Sequence, residues 1–303
     1  MKKVIKYFIN SANILFAAAL LIVAYVPSVN DIDSIAAYIV ALCLIEAGFL
    51  FSYVIRKRKS SLNIATIAFA LLIVWDLASR LGYTHPVLVP PPENVFYVFV
   101  TEWEDMVAGT ISSLKLLGQG VGLALIAGVF LGLVVGWIPS VKNTVLPIAN
   151  VISPIPPLVY TPYVVAVAPS FKIASIFVIF CAVFWPTFQS MVGRVSSVDK
   201  KVIQSAQVMK VSTPTMLFRV ILPYCMPGII SGLNMNIRVA LLCLVGAELI
   251  GAGSGLGYFV KKYSNFADYT KVLAGIILIG IVVTVLFALV GLLERKLIKW
   301  DYT

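Results

Sequence analysis

Eight apolar segments, most of them long enough to cross a lipid bilayer as helices, constrain this chain more than any other feature. The hydrocarbon core of a bilayer is about 30 Å thick and is crossed by about 20 helical residues. A membrane β-barrel would show alternating segments of about 10 residues, which this sequence lacks. The chain is therefore predicted to be an all-α, polytopic membrane protein. The eight segments lie near residues 8–27, 35–55, 62–82, 110–138, 144–168, 171–193, 225–250 and 271–293.

Composition supports this class and excludes several functions. Of the 303 residues, 60% are hydrophobic and only 12% are charged, whereas soluble domains carry about 25% charged residues. The four cysteines lack CxxC spacing and one histidine stands alone, so no metal site or catalytic set is predicted. A GxxxxGK[ST] phosphate loop is also absent, so we expect neither an enzyme nor a bound cofactor. Because topology explains the net charge of +10, no nucleic-acid partner is expected.

The positions of Lys and Arg predict the orientation in the membrane. Cytoplasmic segments of membrane proteins are enriched in these residues. With the N-terminus inside, sixteen of the 23 fall in cytoplasmic segments, six fall outside and Arg238 lies within a span. Both termini are therefore predicted to be cytoplasmic. The six outer residues are Arg80, Lys115, Lys172, Lys261, Lys262 and Lys271.

A basic cluster at Arg56–Ser61 marks a candidate boundary between two parts of the chain. Residues 1–60 would form an N-terminal transmembrane hairpin, and residues 61–303 the main body. Between the third and fourth spans, apolar residues of Asn94–Met106 suggest a short helix resting on the bilayer surface.

Prolines interrupt the fifth span and indicate a transport path. Pro154, Pro156 and Pro157 remove backbone donors, which breaks the helical hydrogen-bond ladder. Irregular backbone at membrane depth is tolerated where it is buried in protein or lines an aqueous cavity. We therefore assign a translocation path to these prolines, to the neighbouring Tyr160, and to two charged residues within spans. The full set is Pro154, Pro156, Pro157, Tyr160, Arg238 and Glu248.

Two local patterns predict helix contacts. Gly128, Gly132 and Gly136 place bare backbone on one face of the fourth span, which permits close packing of another helix, within the chain or in a second copy. Asp76 and Arg80 are four residues apart, so their side chains can pair on one helix face.

Four sequence stretches resemble those of binding-protein-dependent ABC importer permeases of the nitrate/sulfonate/taurine type. QSAQVMKVSTPTMLFRVILP (204–223) resembles the family's EAA loop, which ends in Leu-Pro, and SPIPPLVYTP (153–162) looks like its Pro-rich signature. GAELIGAGSGLGYFV (246–260) is similar to its Ala-Glu-Leu…Ser-Gly-Leu-Gly stretch, and LLERKLIKW (292–300) closes the chain in the family manner. The similarity runs from about Ile64 to Trp300.

The resemblance implies a six-helix type I permease core preceded by two extra helices, in a multi-pass protein of a bacterial plasma (inner) membrane. It implies partner ABC ATPase subunits that bind ATP and Mg, a periplasmic or lipid-anchored substrate-binding protein, and a second permease copy in a homodimer or heterodimer. A cytoplasmic loop, 199–223, would hold the coupling helix that contacts the ATPase. The residues assigned to coupling are Gln204, Ser205, Ala206, Val208, Met209, Lys210, Ser212 and Pro214.

The loop departs from the family pattern at two positions. Gln204 replaces the acidic residue of the EAA motif, and Lys210 replaces a glycine that turns the chain. Because a left-handed conformation costs a residue with a Cβ about 1 kcal/mol, we expect the turn to shift from Lys210 toward Ser212. Thr213 would then cap the next helix, with Pro214 in its first turn.

Three functions are compatible with the sequence. The first is an ATP-driven permease subunit for a small solute such as nitrate, a sulfonate, taurine or a vitamin precursor. The second is a secondary transporter, which should show inverted repeats with paired broken helices. The third is a membrane scaffold or sensor that has lost transport and is not coupled to an ATPase.

Overall fold

The computed structural model describes residues 10–56 and 59–297, and its regular structure there is helical. Twelve main helices, α1 to α12, are joined by short connections in this part of the chain. In order, they are α1 Ser11–Tyr25, α2 Ile35–Arg56, α3 Lys59–Arg80, α4 Pro92–Thr101, α5 Trp103–Trp137, α6 Pro139–Ile152, α7 Pro157–Val167, α8 Phe171–Ser196, α9 Lys200–Val208, α10 Leu222–Gly251, α11 Leu256–Asn265 and α12 Tyr269–Leu297.

Six stretches of the described residues are long and apolar enough to cross a membrane. They are Ile35–Tyr53, Ser60–Arg80, Trp103–Trp137, Phe171–Ser196, Thr213–Asn265 and Tyr269–Lys296. The bent pair α6 and α7 gives up to seven if it is counted as one span. The remaining predicted segment, near residues 8–27, corresponds to the shorter apolar helix α1. Residues 8 and 9 of that segment lie outside the described part of the chain. The all-α, polytopic fold class is confirmed.

The chain divides into two compact units, of which the first comprises residues 1–106 and 260–277. Its core joins the N-terminal hairpin to the next helix, because Ala12, Tyr38 and Phe69 from α1, α2 and α3 are all buried in one cluster. Helix α4 packs on α2, where the rings of Phe96 and Tyr38 stack at 5.6 Å. The expected sequence boundary at residue 60 thus lies inside a packed unit.

Helix α4 also corrects the expectation of a helix lying on the bilayer. Val95 and Val98, assigned there to lipid contact, are 0% and 5% exposed and face protein. Val95 and Val98 do share one face of the helix, because they are three residues apart. The hairpin supplies a protein surface for that face, which the sequence pattern alone could not distinguish from lipid.

The second unit comprises residues 107–259 and 278–303, and the glycine stripe of α5 packs inside it. A Cβ at Gly132 would lie 2.6 Å from the Cβ of Met191, and one at Gly136 would lie 2.8 Å from that of Val195. The register advances equally on both helices, so α5 and α8 run in the same direction. Internal packing therefore accounts for the stripe, and residues 138–170 must return along the length of these helices.

That return path is the bent pair α6 and α7. The two helices meet at 89° across the break at residues 153–156. Pro156 is the N-cap of α7 with an extended backbone, and Pro157 occupies its first turn. Since proline lacks a backbone N–H and disfavours helix in the residue before it, the prolines explain the position of the break.

A proline also explains the irregular backbone that precedes the long helix α10. After a single α-helical turn at Thr213–Thr215, residues Met216–Ile221 form a π-helix that continues directly into α10. The N–H of Leu222 donates to the carbonyl of Leu217, five residues back. Pro223, at the start of α10, has no N–H to donate, and the wider turn before it accommodates its ring.

Candidate functional site

Helix α9 carries four of the eight predicted coupling residues. The carboxylate of Asp199 accepts a hydrogen bond from the N–H of Lys201 at 2.9 Å, which caps the N-terminus of the helix. Ala206 is 8% exposed and lies in a buried cluster with Met216 and Ile221. Ala206 was assigned to coupling with the ATPase. The structure instead directs it toward the chain's own core, so its small size serves packing within this unit.

The chain reverses after α9 in a Schellman motif. The N–H of Val211 donates to the carbonyl of Ala206 at 3.2 Å, and that of Lys210 donates to the carbonyl of Gln207 at 2.9 Å. Lys210 has a φ of 51°, in the left-handed region. The expected shift of the turn toward Ser212 is therefore wrong. The two backbone hydrogen bonds and the packing of Val211 offset a left-handed cost of about 1 kcal/mol.

The opposite face of α9 and the turn are exposed. The side chains of Val208 and Met209 are 84% and 78% exposed, and Gln204, Ser205 and Lys210 are also exposed. Two adjacent apolar side chains with this exposure, on a loop held by an N-cap and a Schellman turn, form an exposed apolar tip. We call Val208 and Met209 the coupling tip.

The segment after the turn differs in one detail from the sequence expectation. Ser212, not Thr213, occupies the N-cap position before the short turn Thr213–Thr215, and Pro214 lies within that turn. The hydroxyl of Ser212 is 2.9 Å from that of Thr215 and makes no side-chain cap to a backbone N–H. Pro214 thus has its expected position, whereas the cap lies one residue earlier.

The residues predicted for a translocation path occupy three separate environments. Pro154 and Pro156 are exposed at the break between α6 and α7, and Pro157 is partly buried. Tyr160 is partly buried on α7, the helix that begins at this break. The break and Tyr160 thus belong to one region of the unit.

Arg238 lies on α10, where its guanidinium carbon is 4.5 Å from the ring centroid of Phe287. This is a cation–π contact. Arg238 is exposed in the described chain. Its packing on an aromatic ring leaves the charge available to a ligand or a partner.

Glu248 has structural contacts at the end of α10. It is 1% exposed and accepts hydrogen bonds from the hydroxyl of Ser113 at 2.5 Å and from the N–H of Gly257 at 2.7 Å. The hydroxyl of Ser113 in turn accepts from the N–H of Leu256 at 2.8 Å. Glu248 therefore caps the first turn of α11, where a carboxylate also favours the helix dipole. This contact set gives Glu248 a positioning role beside the predicted path.

The glycine run between α10 and α11 follows from the same geometry. Gly255 has a φ of 130°, and a Cβ there would collide with the carboxylate of Glu248. A Cβ at Gly257 would lie 2.6 Å from the carbonyl oxygen of Val245. The loop can fold over the buried carboxylate because both residues are glycine.

In the first unit, Arg80 is buried between two carboxylates. Its Nε donates to Oδ1 of Asp76 at 2.7 Å, its terminal nitrogens donate to Glu93 and to the carbonyl of Val26, and all three charged side chains are at most 3% exposed. The predicted pairing of Asp76 with Arg80 is confirmed. Burial raises the pKa of Glu93 above its usual value. Glu93 was missed as a partner because no helical spacing connects it to Arg80.

Two other predicted outer cations of the first unit are also paired. Lys271 donates to Glu102 at 2.6 Å, and Lys262 lies 3.3 Å from Asp105. Glu102 also accepts a hydrogen bond from the hydroxyl of Tyr263 at 3.0 Å. The hydrogen bond from Lys271 holds the pKa of Glu102 below its usual value.

Comparison with known proteins identifies the family. The profile of the binding-protein-dependent transport system inner membrane component matches residues 120–299. The chain is 32% identical over 255 residues to the taurine transport system permease protein TauC of Escherichia coli (strain K12), covering 80% of this chain and 91% of that protein.

Two further relatives have similar coverage. The putative aliphatic sulfonates transport permease protein SsuC of Bacillus subtilis (strain 168) is 28% identical, with 81% of this chain and 90% of that protein covered. The nitrate import permease protein NrtB of Leptolyngbya laminosa is 27% identical, with 83% and 93% covered. The family expectation is thus confirmed: the chain belongs to the inner membrane components of binding-protein-dependent transport systems, the permease family of ABC importers.

Proposed function

We propose that this chain is the transmembrane permease subunit of an ATP-driven importer of a small solute, such as nitrate, a sulfonate or taurine. The coupling tip carries the proposal. Val208 and Met209 are 84% and 78% exposed on a loop whose ends are fixed by hydrogen bonds. Apolar side chains in such a position are suited to a pocket on a partner protein.

The tip can transmit force because the loop behind it is packed into the second unit. Ala206 on the inner face of α9 contacts the cluster that contains Ile221, just before α10. A partner that moves the tip therefore also moves the start of α10, whose other end carries Glu248. In alternating access, ATP binding and hydrolysis in the partner would drive this movement.

The remaining parts of the proposal concern partners. ATP and Mg bind to the ATPase subunits, and a periplasmic or lipid-anchored binding protein delivers the solute. A second permease copy, identical or related, completes the pathway. Both termini and α9 face the cytoplasm of a bacterial plasma membrane, an orientation supported by the bias of sixteen basic residues against six.

The decisive experiment introduces a charge at the coupling tip. In vesicles containing the chain with its ATPase and binding protein, Val208→Glu should reduce solute-stimulated ATP hydrolysis and uptake by at least about tenfold. Burying an unpaired carboxylate in a partner's apolar pocket is costly, and tenfold corresponds to only about 1.4 kcal/mol. Co-purification of the ATPase and uptake are measured together.

The matched control is Val208→Thr, which keeps the shape of the side chain and adds only a hydroxyl. It should retain most of the coupling activity. A wild-type chain that never recruits an ATPase would refute the proposal and favour a secondary transporter or a scaffold. Full uptake by Val208→Glu would refute the assignment of the coupling tip.

A further inference from the structure

The basic residues predicted to lie outside differ in their pairing. Among the described residues, Arg80, Lys262 and Lys271 form ion pairs with carboxylates, whereas Lys115, Lys172 and Lys261 form none. Lysines at that end of a span run against the charge bias of the chain. An unpaired cation there therefore needs an explanation that the paired ones do not.

Lys115 and Lys172 line the same cavity of the second unit. The cavity has a volume of about 310 Å³ and lies between the predicted outer ends of α5 and α8 and the glycine loop after α10. Ser112, Lys115 and Gln119 follow one another at three- and four-residue spacing, so they share one face of α5. The residues that line the cavity thus include two lysines and one glutamine.

The remaining lining completes a small polar site on an apolar floor. The hydroxyls of Ser112 and Ser254 are 2.9 Å apart, which joins α5 to the glycine loop. Leu116, 7% exposed, and Phe171 supply the apolar part of the lining. Glu248 at the same end of α10 is buried and hydrogen-bonded to Ser113, so it makes no ion pair with either lysine.

We propose that the cavity of Lys115 and Lys172 is an anion-receiving site at the outer end of the permease. It takes a small solute with one sulfonate, nitrate or carboxylate group, in preference to a neutral or cationic one. Two positively charged side chains in one cleft raise the local concentration of anions. The volume lies near the lower end of the usual range of about 300–1,000 Å³ for ligand pockets, which suits a solute of few atoms.

The cavity at the other end of the unit does not support the same inference. It has a volume of about 440 Å³ and is lined by Arg194, Ser197 and Ser231, among others. However, that end carries most of the basic residues of the chain, as the charge bias predicts. Arg194 therefore has a sufficient explanation in topology, whereas Lys115 and Lys172 do not.

The test measures the electrostatic preference of the cavity directly. Gln119→Cys is introduced into the full-length chain after the four native cysteines are replaced by alanine. The new thiol is reacted with an anionic and with a cationic methanethiosulfonate reagent in nanodiscs, and the two rates are followed by mass spectrometry. Adding Lys115→Gln and Lys172→Gln should lower the anionic-to-cationic rate ratio by about tenfold.

Matched variants make the test specific. Lys261→Gln removes a predicted outer lysine outside the cavity and should leave the ratio unchanged. Lys115→Arg with Lys172→Arg keeps both charges and should preserve it. Ethanesulfonate should protect the thiol in the parent chain but not in the Gln variants, while ethylene glycol should protect in neither. An unchanged ratio in the Gln variants, an equal fall in Lys261→Gln, or equal protection by the glycol would overturn the proposal.

The inference rests on the proposed transport function and orientation, but it fails separately from them. The thiol assay needs no ATPase or binding protein. Suppose that Val208→Glu abolishes coupled uptake, but that the anionic-to-cationic rate ratio is unchanged when Lys115 and Lys172 are replaced by Gln. The transport proposal is then supported and the anion site is refuted. If the ratio follows the two lysines but no ATPase is recruited, the anion site stands and the transport proposal falls.

Discussion

Two groups of predicted outer cations in this permease are treated in opposite ways. Arg80 in the first unit is buried, at most 3% exposed, and pairs with Asp76 and Glu93. Lys115 and Lys172 in the second unit are exposed in a cavity and have no carboxylate partner among the described residues. A buried cation must be compensated by the protein itself, whereas an open one is compensated by water or a ligand. The first group is built for structure and the second for binding.

The largest expected effect comes from removing the paired cation. Arg80→Met should lower the free energy of unfolding by about 3–5 kcal/mol, because it leaves two buried carboxylates without their counter-ion. SDS titration in mixed micelles measures this loss. Replacing Asp76, Arg80 and Glu93 together by Leu, Met and Leu should cost less than the single change, since no charge is then left buried. Wild-type stability in Arg80→Met would contradict a structural role for the cluster.

A smaller effect concerns the second carboxylate of the cluster. Burial raises the pKa of Glu93 above the usual value of 4.5, so the folded chain holds its proton at pH values where the unfolded chain has lost it. Protonation of Glu93 therefore adds to the free energy of unfolding. This contribution is fully present below pH 4.5 and is lost as the pH rises through the pKa of Glu93 in the folded chain.

Glu93→Gln tests this pH dependence. At pH 7 it should change the free energy of unfolding by less than about 1.5 kcal/mol, because the amide oxygen still accepts from Arg80. Unfolding measured from pH 4.5 upward should lose the part of the slope that Glu93 contributes. An unchanged slope in the variant would show that Glu93 does not titrate in this range.

The smallest expected effect sharpens the contrast. Lys115→Gln with Lys172→Gln should leave the free energy of unfolding within about 0.5 kcal/mol of the parent, as is usual for exposed residues without partners. The same micelle titration used for Arg80→Met provides the comparison. A loss of several kcal/mol would mean that the two lysines hold the fold together, and the contrast between the two groups would fail.

Predictions from the sequence succeeded where a short pattern had one physical outcome. Pro154, Pro156 and Pro157 lie within four residues and remove three backbone donors together, and the helix breaks at this point. The glycines of α5 permit close approach, and α8 fills the space. The charged pair Asp76 and Arg80 met because helical spacing alone brings them together.

Predictions failed where a residue had two physical choices. Lys210 could avoid a left-handed turn or accept it, and the hydrogen bonds of Val211 and Lys210 decided in favour of the turn. Ala206 could face a partner or the core, and it packs in the buried cluster that contains Met216. Such outcomes depend on competing contacts of similar size, which a local pattern does not contain.

The sequence by itself determined the class of this protein. Long apolar segments dictate membrane helices because hydrocarbon admits no unpaired backbone groups, and the family stretches identify the permease. Only the tertiary structure decided which contacts each charged side chain makes. Glu248 caps a helix through Ser113, a residue 135 positions earlier, and Arg80 reaches Glu93 beyond any helical spacing. Pairing depends on distances between helices, and packing sets those distances.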